Sequence, residues 1–236
     1  MALAQRTVKR FWKEVTVAPE GDGWGLALDG RPVRTPQRAP LAVASIALAE
    51  AIAAEWHDVG ETIDPAAMPI NGLTNAAIDL AAPDIAAFAA PIAAYATGDL
   101  LCYRDARDAA LQTEQAAAWN PLLAWAETRH GIEFTLTQGV LPVDQPEATV
   151  AALHDAVFAH DHWRITALTP VVTIGGSLVA GLALVEEAFD AEMLWEAVSL
   201  DEMYQERRWG ADSEAQKARA ANKRDWDNAV RFLGLL

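Results

Sequence analysis

Trp24-Gly25-Leu26-Ala27-Leu28-Asp29-Gly30-Arg31-Pro32-Val33-Arg34-Thr35-Pro36 decides how the chain begins. Trp24, Leu26 and Leu28 alternate with small residues and share one face of a strand. Asp29-Gly30 is a two-residue hairpin signal, because both positions tolerate the positive φ of a tight primed turn. The segment after it is short and carries prolines that suit a sheet edge or end. Upstream, Trp12, Val15 and Val17 form another short β-forming run, closed by Ala18-Pro19-Glu20-Gly21-Asp22-Gly23. Residues 7–36 therefore read as a three-stranded antiparallel meander.

After Pro40 the period changes. Ile46, Ala49, Ile52, Ala53 and Trp56 recur at helical spacing, and Gly60 ends that helix. A proline-containing connector follows to Gly72. Further helices are expected at 73–81, 84–96, 112–130, 146–160, 177–188, 190–208 and 213–233, with an isolated strand at Ile132–Leu136 between two glycines. The fold class is α+β: a small β-rich N-terminal domain with a following helix, 1–60, and a larger mainly α-helical domain, 61–236. Hydrophobic residues make up 52% of the 236, much of that alanine, which favours helix and a real core.

The charge is uneven. The formal net charge is −15. Residues 1–38 carry seven Lys/Arg against four Asp/Glu, a net of +3; residues 39–206 carry four against 25, a net of −21; residues 207–236 carry seven against four, again +3. An acidic body repels phosphate backbones and anionic lipid, so no nucleic-acid partner is expected, and a cationic protein surface suits it better. The uncharged run Ile165–Val185 has nearly the length of a membrane span. Pro170, Gly175-Gly176 and several threonines interrupt it, so no membrane insertion is expected. The run reads instead as a buried strand-like piece followed by a core helix. The N-terminus shows no apolar leader, and Arg outnumbers Lys fourteen to four. A bacterial cytoplasmic location is expected, or the mitochondrial matrix if a presequence precedes the chain.

No complete catalytic motif emerges. Thr173-Ile174-Gly175-Gly176-Ser177-Leu178 lacks the lysine of a P-loop, the spacing of a dinucleotide fingerprint and the second glycine of a nucleophile elbow. Ser177 is better read as the cap of a buried helix. Of five histidines, His154, His160 and His162 cluster but point apart, so no metal is expected. The single cysteine, Cys102, reads as a buried, inert thiol. No cofactor is expected.

The helix expected at 190–208 is more informative. Met193, Ala197, Leu200 and Tyr204 form one apolar stripe; Trp195, Val198, Glu202 and Trp209 form a second. Glu202 thus falls among large apolar side chains, where a carboxylate is partly desolvated and needs a partner. The partner is either an internal cation, such as Arg207, Arg208 or the basic C-terminal helix, or a cation on another protein. An enzyme using Glu202 and Asp201 is the alternative, although adjacent helix positions point about 100° apart and make a poor carboxylate pair.

Several short strings in order carry a family likeness: Arg10-Phe11-Trp12-Lys13-Glu14-Val15, Leu28 to Pro36, Gly98-Asp99-Leu100-Leu101-Cys102-Tyr103-Arg104, and Trp119-Asn120-Pro121-Leu122-Leu123. Ser199-Leu200-Asp201-Glu202-Met203-Tyr204-Gln205, Trp209-Gly210 and Arg231-Phe232-Leu233 complete the series. Together they resemble the assembly chaperones for the alpha subunit of the F-type ATP synthase head. The resemblance implies a non-enzymatic function: holding the alpha subunit ready for assembly with beta, as a monomer. It also implies a functional role for the acid of the Leu-Asp-Glu motif, Glu202. Asp201, Trp195, Trp209 and Gln205 are the neighbours expected to share a partner-binding role. Two positions depart from the family pattern: Tyr204 replaces a different aromatic, and Gly175-Gly176 replaces Ser-Gly.

Overall fold

The computed structural model describes residues 8–139 and 141–236. The start of the expected meander at residue 7 lies outside the described residues. Two compact units are present: one holds the described residues up to Pro83 together with Arg231–Leu236, the other is Asp84–Val230.

The first unit contains β1 (Val15–Glu20), β2 (Gly23–Leu28), β3 (Arg31–Pro32), β4 (Ala42–Val43), α1 (Ile46–Asp58) and α2 (Pro69–Ala76), the last continued by a π-helical turn to Ala81. β1 pairs antiparallel along the whole of β2, from Val15 opposite Leu28 to Glu20 opposite Gly23. β3 and β4 pair with the two ends of β2 on its other edge. Asp29 and Gly30 both have positive φ, 48° and 77°, as the hairpin turn requires. The Asp29 carboxylate accepts the N–H groups of Glu14 and Lys13, which holds its pKa below the usual carboxylate value. A Cβ at Gly23 would collide with the Val43 carbonyl, so the fourth strand fits only against glycine. β4 was not anticipated, and neither was the pairing of residues 8–10 with 61–63, where Ile63 N–H donates to the Val8 carbonyl at 2.9 Å. α1 then holds α2 in place: Glu55 accepts the Ile70 and Asn71 N–H groups, each at 2.8 Å, as a side-chain cap.

The second unit is helical. It comprises α3 (Ile85–Ala93), β5 (Tyr103–Arg104), α4 (Ala109–His130), β6 (Thr137–Gln138), α5 (Glu147–Phe158), α6 (His162–Gly175), α7 (Leu178–Val185), α8 (Ala191–Val198), α9 (Leu200–Trp209) and most of α10 (Ser213–Leu233). Its core gathers Ala89 and Ile92 of α3, Leu153 and Val157 of α5, Leu168 and Val172 of α6, and Leu182 of α7. The run Ile85–Cys102 is long and apolar enough to cross a membrane by length and composition. Here Ala89, Ile92, Ala93, Ala96, Leu101 and Cys102 are buried inside the protein.

Three expectations need correction. The stretch after Ile165 is not strand-like: α6 is helical from His162 through Pro170 to Gly175. Thr166, Thr169 and Thr173 each donate their hydroxyl to the carbonyl four residues back, at 2.7, 3.0 and 2.7 Å. That satisfies their hydroxyls within the helix, from buried Thr166 to exposed Thr173, and overrides their β-propensity. Gly176, with φ of 64°, ends α6, and Ser177 caps α7 by accepting the Ala180 N–H, as its sequence context indicated. Ile132–Leu136 is not a strand. Thr135 N–H and C=O instead bond the Gln145 side chain, at 3.0 and 2.8 Å, and the short strand lies further on at β6, parallel to β5. Finally, the helix expected over 190–208 is interrupted at Ser199, which separates α8 from α9. The Ser199 hydroxyl donates back to the Trp195 carbonyl at 2.7 Å, a contact that bends helices.

Candidate partner-binding face

The second stripe is buried at Trp195 in α8, but past the interruption at Ser199 it no longer holds. Glu202 is exposed, which corrects the expectation of a desolvated carboxylate. Glu202, Gln205 and Trp209 line a hollow of about 360 Å³ between α9 and the start of α10, and Trp209 is 72% exposed. The other acid there, Glu206, is held by Arg219 and Gln216 of α10. Three other cations of α9 and α10 are also engaged: Arg207 with Glu114 at 2.5 Å, Arg208 with Asp108 at 3.4 Å, and Lys223 with Glu192 at 2.9 Å and Asp227 at 2.6 Å. Glu202 has no ion pair among the described residues.

Trp195 is placed differently. It is 8% exposed and packs edge-on against Trp226, ring centroids 5.6 Å apart, with Lys223 over its ring. Asp201 is half-buried and faces another hollow of about 640 Å³, lined also by Tyr103, Arg104, Arg107 and Gln115. Burial raises its pKa, opposed by the Gln115 hydrogen bond, raised further by Asp105 and lowered by Arg104. The desolvated acid of this helix is thus Asp201, one position from the residue the stripe selected. Asp201 and Glu202 open onto separate hollows, so they do not converge as a carboxylate pair.

The family model described as ATP12 chaperone protein matches residues 9–127. Atp12 of Paracoccus denitrificans superimposes with a TM-score of 0.90 at 40% identity, covering 96% of this chain and 97% of that one. A mutant of the same protein, with lysine in place of one aspartate, matches equally. The chain belongs to the ATP12 chaperone family. A candidate chaperone from Agrobacterium tumefaciens also matches, with a TM-score of 0.90 at 36% identity over 97% of this chain and 86% of that one. The mitochondrial atp12 protein of Schizosaccharomyces pombe is 22% identical over 227 residues, 91% of this chain and 78% of its own length. The α+β fold class and the resemblance to ATP synthase assembly chaperones are both borne out.

Two residues of the Gly98-Asp99-Leu100-Leu101-Cys102-Tyr103-Arg104 string turn out to be architectural. Asp99 is fully buried and accepts the N–H groups of Leu101 at 3.0 Å and Val179 at 2.9 Å, tying the segment before β5 to the start of α7. Its burial raises its pKa against those bonds. Cys102 is buried beside it, and burial with the nearby Asp99 charge pushes the thiol up to about 12, which keeps it protonated. Among the described residues, no group of three or more His, Cys, Asp or Glu side chains could hold a metal ion.

Sequence reasoning missed one further feature of this ATP12-family chain. α4, α8 and α9 enclose an apolar groove of about 480 Å³. Its signal was present in the stripe Met193, Ala197 and Leu200, which reads equally well as core; only the burial distinguishes them, since Met193 is 40% exposed.

Proposed function

We propose that this protein binds the unassembled alpha subunit of the F-type ATP synthase head and keeps it competent for assembly with beta. It acts as a monomer in the bacterial cytoplasm, without catalysis. Membership of the ATP12 chaperone family supports the reading. The observation that carries the site is the unpaired Glu202 carboxylate beside the exposed Trp209 ring, on a helix whose other acids are engaged. A lysine or arginine of the client would pair with Glu202 and lie against the face of Trp209, with Gln205 supplying a further hydrogen bond. Trp195 and Asp201 contribute from beneath, by fixing α8 and α9.

Co-expression of alpha with this protein tests the proposal. Wild type should raise the soluble fraction of alpha and co-purify with it. Glu202→Lys should lose both while melting at the wild-type temperature, because the side chain is exposed and unpaired. Alpha solubility that is the same with or without this protein would overturn the reading. Undiminished capture by Glu202→Lys would remove Glu202 from the site.

A further inference from the structure

The groove between α4, α8 and α9 lies on a different face of α9 from Glu202 and Trp209. Ala117, Ala118 and Pro121 form one wall; Met193, Leu200 and Met203 form much of the other. Small side chains on one side and pliable methionines on the other make a surface that adapts to apolar knobs of several shapes. Met193 is 40% exposed, and the acid Glu196 also borders the groove.

The walls dictate the backbone of whatever lies there. Apart from the loop residue Phe189, both are faces of helices, whose N–H and C=O groups are paired within the helix except at the Pro121 step, and no strand residue lines the groove. An extended peptide would set unpaired backbone groups against alanine, leucine and methionine side chains, an expensive arrangement. A helix satisfies its backbone internally and offers a row of side chains at three- and four-residue spacing. The rim then selects charge. Glu114 is paired with Arg207, whereas Glu196 is exposed and has no ion pair among the described residues. Pro121 has no N–H, so the Ala117 carbonyl in the wall also lacks its usual donor four residues on. Both features call for a donor, and Glu196 calls for a cation.

We infer that this groove receives an amphipathic helix of the client, with its apolar row against Met193, Leu200 and Met203 and a flanking lysine or arginine on Glu196. The inference deepens the chaperone reading and rests on it for the source of the helix. The groove's chemistry stands independently.

The test uses the full chain with methionine methyl groups labelled for NMR. The probe is a synthetic amphipathic helical peptide with leucines along one face and lysine flanks; a scrambled peptide of the same composition is the control. The helical peptide should bind saturably and shift the Met193 and Met203 methyl resonances. Met193→Glu, checked by circular dichroism for an intact fold, should weaken binding about tenfold. Glu196→Lys should weaken the lysine-flanked peptide and favour a glutamate-flanked one. Equal binding of the scrambled peptide, unmoved methyl resonances, or unchanged affinity in a folded Met193→Glu protein would each overturn the inference. Peptide failure with alpha capture intact sinks the groove and leaves the chaperone reading. Peptide binding without alpha capture does the reverse.

Discussion

Gln115 donates from Nε2 to Oδ1 of Asp201 at 2.8 Å, while its Oε1 accepts the Asp105 N–H, also at 2.8 Å. Gln115 is almost fully buried, so one side chain links α4, α9 and the turn after β5. Asp201 is held there at the expense of its hydration, and burial is the largest influence on its raised pKa. A raised folded-state pKa favours the protonated form, so its contribution to stability is present at acid pH and lost as pH rises through the folded value. Asp201→Asn keeps an oxygen for Gln115 and removes the charge. The variant should be more stable than wild type at neutral pH. The gain should shrink on acidification and vanish below the ordinary value of 3.8. Urea denaturation across that range reads it; a variant less stable than wild type at neutral pH would show that attraction to Arg104 outweighs burial.

What could be read from sequence followed the range of the interactions involved. The Asp29-Gly30 hairpin, the Ser177 cap and the helix at 213–233 depend on residues a few positions apart, and all three appear where the local pattern puts them. The pairing of residues 8–10 with 61–63 depends on chain closure, and nothing local signals it. α6 was misread because its threonines suggest a strand until their hydroxyls find carbonyls in the preceding turn. The α9 site was half legible. Glu202, Gln205 and Trp209 do border one hollow, but the stripe that selected Glu202 was extended across the interruption at Ser199. The desolvated neighbour Asp201 depends on Gln115, 86 positions away.

Close packing of α6 against α7 gives a second expectation. Gly181 faces α6, and a Cβ there would lie 2.6 Å from Val172 Cγ2 and 3.1 Å from Leu168 Cδ2. Both are themselves completely buried. Alanine normally favours a helix over glycine by about 1 kcal/mol. Overpacking of a filled core costs about 1–3 kcal/mol and should prevail here. Gly181→Ala is therefore expected to lower the urea midpoint with an unchanged denaturant slope. A stabilised variant would mean that the two helices can separate to admit a methyl group.

The histidines His130 and His160 should set the response to mild acid. Each has a buried Nε2 with no hydrogen-bond partner. Burial lowers the pKa of both, opposed by Glu186, which is itself bound to Arg129 at 2.6 Å. Arg129 lowers both further; around His160, Arg164 also lowers and Asp161 raises. A depressed histidine pKa means that the unfolded chain takes up the proton first. Stability is complete above the unfolded value near 6.5 and falls as pH drops from there toward the folded values. Buried Asp99 and half-buried Glu55, whose pKa values are raised by desolvation, trend the other way, so the histidine share is a decline between pH 7 and pH 5 read by comparing thermal melts of wild type with histidine variants. His160→Phe and His130→Phe fill similar space with a ring that never charges, and each should flatten part of the decline. An unchanged slope in both variants would place the acid sensitivity elsewhere in the protein.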